Sequence, residues 1–118
     1  MKENVVLEKS YSFAVRIARL YLYLKNEKKE YELSKQILRS GCSIGSNVEE
    51  AVGGYSRKDF SAKIGIAYRE ARETNYWLRI LKDVKLINLK MFNSLENDCN
   101  ELLKIIGSIQ LTLKKKNS

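Results

Sequence analysis

Between residues 60 and 81 the chain places Phe60, Ile64, Ala67, Ala71, Thr74, Leu78 and Leu81 at alternating steps of four and three. That period draws one continuous apolar seam along a helix. A strand cannot hold it, because strand side chains change face at every residue. The same rhythm recurs in Val6, Ser10, Phe13, Ile17, Leu20 and Leu24, in Leu33, Ile37, Gly41, Ile44, Val48 and Val52, and in Phe92, Leu95, Cys99, Leu102, Ile106, Ile109 and Leu113. None of the 118 residues is proline, so nothing breaks these segments from within. The fold class is all-α, and the chain has the size of one domain, residues 1–118.

The joints between seams set the topology. The first helix is predicted from Asn4 to Lys28, ending in the charged run KNEKKEYE, and the second begins near Glu32. Gly53 and Gly54 are expected to end the second helix by taking the left-handed conformation. Ser56, followed three residues later by Asp59, caps the third helix, and Asn88 caps the fourth. Connections this short favour antiparallel neighbours, hence an up-down-up-down four-helix bundle rather than a long coiled-coil hairpin. The tail KKKNS is expected to fray.

The stretch SGCSIGSNVEEAVGGY, residues 40–55, holds four of the six glycines and invites comparison with a phosphate-binding loop. The comparison fails, because Gly41 and Gly45 are followed by no lysine, the preceding SKQILR is helical, and no G-x-G-x-x-G is present. Glycines four apart share one side of a helix. Each costs about 1 kcal/mol relative to alanine, so Gly41 and Gly45 read as a close-packing strip; a kink is the alternative.

Apolar residues exceed what one bundle core requires. The first helix carries a second line, Leu7, Tyr11, Ala14, Ala18 and Tyr21, with Val15 and Leu22 beyond it. The third adds Ile66, Trp77, Ile80 and Val84. Contiguous apolar faces of this kind mark interfaces, so the chain is predicted to be a homo-oligomer.

The chemistry available is narrow. There is no histidine, which removes the commonest general base and metal ligand, and no Ser/His/Asp or Cys/His set can be assembled. No cofactor motif is present. Glu49, Glu50, Glu70 and Glu73 resemble bundle metal ligands but lack the accompanying histidine; ion pairs with Arg69 and Arg72, and contacts with Asn47, are expected instead. Cys42 and Cys99 read as reduced thiols. No secretion signal or membrane-spanning run is apparent, so a cytoplasmic location is expected.

What remains is positive charge. The formal net charge is +8, and residues 56–88 contain eight basic and four acidic side chains. Lys58, Arg69, Arg72, Arg79 and Lys82 share a broad sector of the third helix with Tyr68 and Tyr76. Lys9, Arg16, Arg19 and Tyr23 form a second stripe on the first helix. Arginine neutralises phosphate and tyrosine stacks on unpaired bases, so Arg16, Arg19, Lys58, Arg69, Arg72 and Arg79 are the candidate nucleic-acid contacts. An ordinary solvated face carries much the same residues.

The run LSKQILRSGCSIGSNVEEAVGGYSRKDFSAKIGIAYREARETNYWLRIL, residues 33–81, together with ENVVLEKSYSFAVRI, residues 3–17, resembles the four-helix bundle proteins encoded in intervening sequences of bacterial 23S ribosomal RNA genes. The most specific pieces are Leu38-Arg39-Ser40 with Ser43-Ile44-Gly45-Ser46-Asn47, then Glu50-Ala51, Lys58-Asp59-Phe60, and Glu70-Ala71-Arg72-Glu73-Thr74 leading into Tyr76-Trp77-Leu78. Cys42 stands where a small residue such as threonine is expected. The resemblance implies an up-down bundle and, in relatives, a ring of five subunits. It extends to the accessory variability determinants of diversity-generating retroelements, pentamers with a basic surface that bind nucleic acid and a reverse transcriptase. No enzymatic activity, metal or cofactor is implied. The expectation is a non-enzymatic oligomeric bundle that binds RNA or DNA; a protein-interaction scaffold, with a partner such as a reverse transcriptase, is the alternative.

Overall fold

The computed structural model describes residues 2–116, with side chains from Val5 onward. These residues form α1 (Lys2–Asn26), α2 (Leu33–Val52), α3 (Arg57–Asp83) and α4 (Leu89–Lys116). At 1.5 Å per residue each helix is roughly 30–42 Å long, and the molecule measures 47 × 22 × 21 Å, so all four lie along its long axis. The longest connection, residues 27–32, reaches at most about 20 Å. No connection can therefore return the chain to its starting end, and each helix runs antiparallel to the one before. α1 packs on α2 and α4, α3 packs on the same two, and among the described residues neither diagonal pair meets. The result is an up-down-up-down four-helix bundle.

The seams become the core. Val6, Ser10, Phe13, Ile17, Leu20 and Leu24 are all buried on α1, and Ile64, Ala67, Ala71, Thr74, Leu78 and Leu81 on α3. α4 buries Phe92, Leu95, Cys99, Leu102 and Ile106, while Ile109 and Leu113 are half-buried where the bundle opens. On α2 the final seam position differs from expectation: Ala51 is buried and Val52 is exposed. Val52 instead lines a cavity of about 640 Å³ at the bundle's end, with Val5, Phe60, Ile109 and Leu113. No helix among the described residues is long and apolar enough to cross a membrane.

Polar groups inside the bundle are answered. The hydroxyls of Ser40 and Thr74, both fully buried, meet at 3.0 Å across the α2–α3 contact. Each hydroxyl also has a carbonyl acceptor on its own helix, Glu70 at 2.8 Å for Thr74 and Ile37 at 3.5 Å for Ser40. Among the described residues no buried side-chain nitrogen or oxygen lacks a partner. This matters because each orphaned polar group would cost about 1–3 kcal/mol.

The helix ends are built locally. Ser56 Oγ accepts the Asp59 amide at 3.0 Å, and Asn88 Oδ1 accepts the Met91 amide at 2.8 Å. α1 stops at Asn26, two residues before the expected Lys28. Lys29 then turns left-handed (φ 55°), and Glu30 follows it. The Glu30 carboxylate accepts the amides of Glu32, Leu33 and Ser34 at 3.1, 2.9 and 2.8 Å, so it caps α2 from outside. Gly53 and Gly54 do not take the expected left-handed turn: Gly53 has φ −87°, and no glycine has positive φ. Their amides instead bond back to Glu49 and Ala51, tightening the last turn. A Cβ on Gly54 would meet the Asp59 carboxylate, a side-chain end that can swing aside, and would lie 3.3 Å from the Ala51 carbonyl oxygen.

Gly41 and Gly45 sit where α2 crosses α1. A Cβ on Gly41 would come within 2.7 Å of Ile17 Cγ2, and one on Gly45 within 3.2 Å of the Ser10 carbonyl oxygen. The first is opposed by a stiff β-branched side chain and the second by backbone. Gly41→Ala gains about 1 kcal/mol of helix propensity, yet overpacking of a tight core costs typically about 1–3 kcal/mol. We expect net destabilisation in urea unfolding. With Ile17→Ala in the same chain, the combined loss should fall short of the sum of the two single losses; strict additivity would remove Ile17 as the obstacle.

A second prediction concerns Glu30. Burial pushes its carboxyl up, but the amides of Leu33, Ser34 and Glu32, with the Ser34 hydroxyl, pull harder and hold it below the ordinary value of 4.5. A carboxylate depressed by folding stabilises the native state above its unfolded pKa and loses that contribution as pH falls through the folded one. Glu30→Ala should cost about 1 kcal/mol near neutrality, the usual scale for a lost cap. The gap to the parent should narrow as urea titrations are taken into the acid range. A gap that stays constant with pH would sink the carboxylate cap.

Candidate nucleic-acid interface

The exposed side of α3 is a single row. Lys58, Ala62, Gly65, Arg69, Arg72, Tyr76, Arg79 and Asp83 follow one another at steps of four and three, opposite the buried seam. Lys58, Arg69, Arg72 and Arg79 are exposed and make no hydrogen bond or ion pair among the described residues. Arg79 rests over the Tyr76 ring, 5.8 Å from its centre. Arg19, exposed on α1, is likewise without a partner.

The other basic residues named from the sequence are occupied. Arg16 Nη1 pairs with Asp98 at 2.7 Å, and its Nη2 donates to Ser94 Oγ at 2.9 Å, joining α1 to α4. Lys9 pairs with Glu101 at 3.2 Å in the same seam. Two of the three cations on the α1 stripe therefore face α4 acids rather than solvent alone. Lys82 leaves the row, lying 4.4 Å over the Phe92 ring and 3.6 Å from Asp83. The tyrosines divide similarly: Tyr68 is half-buried and packs towards Gly107 of α4, while Tyr76 stays outside.

The acidic residues explain why the row is uncompensated. Arg39 of α2 pairs with both Glu70 and Glu73, where Arg69 and Arg72 were expected to do so. Glu70 and Glu73 lie on the flank of α3 turned towards α2, so the arginines of the outer row point away from them. Glu73 also accepts the Trp77 indole N–H at 2.9 Å. That hydrogen bond, opposed by burial and reinforced by Arg39, holds the Glu73 carboxyl below its ordinary range. Lys63 takes Glu50 at 2.9 Å. Asn47 joins none of these carboxylates; it donates to the Ser43 carbonyl and hydroxyl at 2.8 and 3.0 Å.

Neither thiol is poised for chemistry. Both cysteines are free. Burial, with Glu96 and Asp98 nearby, pushes Cys99 up to about 12, and burial alone raises Cys42. A thiol raised in this way stays protonated at neutral pH and is a poor nucleophile.

Comparison with known proteins agrees with the architecture. The crystal structure of a protein of unknown function from the S23 ribosomal protein family of Bacteroides thetaiotaomicron VPI-5482 is 51% identical, covers 93% of this chain and 98% of its own, and superposes with a TM-score of 0.91. No curated protein matches the chain. The family model described as 23S rRNA-intervening sequence protein matches residues 2–108, all but the last turns of α4. A match over residues 2–108 of the 118 places the chain in the 23S rRNA-intervening sequence protein family.

Proposed function

We propose that this protein is a non-enzymatic, oligomeric bundle that binds RNA or DNA through the outer row of α3. The observation that carries this reading is the separation of charge on α3. Its glutamates are held by Arg39 on one flank, while Lys58, Arg69, Arg72 and Arg79 stand unpaired along the outer line. Unpaired cations in a straight row meet a phosphate backbone without first breaking internal ion pairs. Arg19 is also unpaired but lies on α1, diagonal to α3 and outside the row, and Arg16 would have to give up Asp98 and Ser94.

Phosphate contacts have a measurable signature. Each one removed should lower the slope of log affinity against log salt by about 0.9 for duplex or 0.7 for single strands. The combined variant Arg69→Gln/Arg72→Gln/Arg79→Gln should therefore lose two to three units of slope, and Arg16→Gln almost none. A filter-binding salt series on structured ribosomal RNA checks both. Absence of binding even at low salt would end the nucleic-acid reading and leave the scaffold, with a protein partner such as a reverse transcriptase, as the alternative.

Self-association rests on a separate observation. Tyr11, Val15, Ala18 and Leu22 form an outer line on α1, with Tyr11 66% and Leu22 49% exposed. α1 and α3 are diagonal in the bundle, so this apolar line and the basic row point to opposite sides. Copies joined through α1 would display repeated basic rows outward, raising avidity for a long polyanion. Light scattering should give a multiple of 13.7 kDa, five-fold by family resemblance, and Leu22→Glu should reduce it. A parent protein already at 13.7 kDa would remove the oligomer.

A further inference from the structure

We propose that Tyr76 is a stacking platform for an unpaired base, and that the α3 row is therefore matched to single-stranded RNA or DNA rather than duplex. The inference rests on the nucleic-acid reading above and adds the class of ligand.

Tyr76 is the one aromatic within the basic row, one turn from Arg72 on one side and from Arg79 on the other. Half of it is exposed, and it is not loose. The Arg79 guanidinium lies over the ring at 5.8 Å, and Trp77 meets it at 5.2 Å with the planes 72° apart. Trp77 is itself fixed by its N–H bond to Glu73, and Glu73 by Arg39 of α2. A chain of contacts thus runs from α2 through Arg39, Glu73 and Trp77 to an exposed ring. A tyrosine exposed only for solubility needs no such support. A ring held in place before its ligand arrives loses little freedom on binding, which is what a platform requires.

The row around it suits one strand. Lys58, Arg69, Arg72 and Arg79 are separated by 11, 3 and 7 residues, which at 1.5 Å per residue is roughly 16, 5 and 10 Å along the axis, in a single file one residue wide. Ala62 and Gly65 leave the middle of that file bare, and the position of a Cβ on Gly65 meets nothing closer than 3.9 Å. A single backbone can run along such a file while one base turns onto Tyr76 between Arg72 and Arg79. In a duplex the bases stack on each other and the ring has no partner, so only the phosphate contacts remain.

Fluorescence anisotropy with an unstructured RNA strand, the DNA strand of the same sequence, and that DNA annealed to its complement tests this on the full chain. Tyr76→Ala should weaken both single strands by about 5- to 100-fold and leave the duplex unchanged, while Tyr76→Phe keeps single-strand affinity. Trp77 is the only tryptophan, so its emission should respond to single strands and not to duplex. Equal affinity for the RNA and DNA strands would assign recognition to base and phosphate; a preference for RNA would add the 2′-hydroxyl. Wild-type affinity of Tyr76→Ala for single strands, with the salt dependence intact, would overturn the platform and leave phosphate binding standing. A change in assembly mass on Tyr76→Ala would overturn it as well, by making Tyr76 a subunit contact. If no oligonucleotide binds at low salt, the underlying reading fails first.

Discussion

The approach of α1 to α2 at Gly41 and Gly45 sets the geometry on which the other contacts depend. With Ile17 and the Ser10 backbone pressed against bare glycine, the two axes come closer than side chains on both helices would allow. α2 is then committed on one side to α1, and its opposite flank is free to grip α3. That grip is polar as well as apolar: the Ser40–Thr74 hydroxyl pair lies within it and Arg39 on its rim takes Glu70 and Glu73. The glycines thus lie beneath a layer of contacts that fixes the rotation of α3 about its own axis. Rotation decides which residues face water.

The last seam, between α4 and α1, closes the ring by different means. It is the weaker of the neighbouring contacts, and Arg16–Asp98 and Lys9–Glu101 run along its surface. Partly exposed ion pairs contribute little each, about 0–1 kcal/mol. Their consequence lies in charge distribution, because they neutralise the α1 cations that would otherwise extend the basic surface round the bundle. The four cations of the α3 row are left as an aligned group, while Arg19 on α1, Lys35 on α2 and Lys90 and Lys104 on α4 are exposed elsewhere. A focused patch steers a polyanion better than the same charge spread evenly.

Much of the fold was legible from periodicity alone. All six α1 seam residues and six of seven on α3 are buried, because a heptad-like rhythm without proline gives each helix one apolar side to turn inward. The glycine strip was legible too, since two helix-weakening residues four apart call for a close neighbour. Features built across the turns were not. Glu30 caps α2 from two residues before Glu32, through a left-handed Lys29 that nothing in the residue type announces. Sequence spacing points Glu70 and Glu73 to the adjacent Arg69 and Arg72, whereas Arg39, more than 30 positions away, holds both. Local spacing ranks neighbours on one helix; it carries no information about which flank of the next helix turns inward.

That limit bears directly on the site. Composition places eight basic residues in the third segment, but only the rotation of α3 separates the four that stand free in one file from Lys63, held by Glu50, and Lys82, lying on Phe92. The same rotation puts Trp77 on the flank with Glu73 and its neighbour Tyr76 on the outside. Adjacent aromatics on a helix are about 100° apart, so one can be anchored while the other is presented. An unpaired row of cations and a ring braced from behind therefore have one cause. The glycine-mediated contact locks α2, α2 holds the acidic flank of α3, and the outer face left over is basic, straight and open.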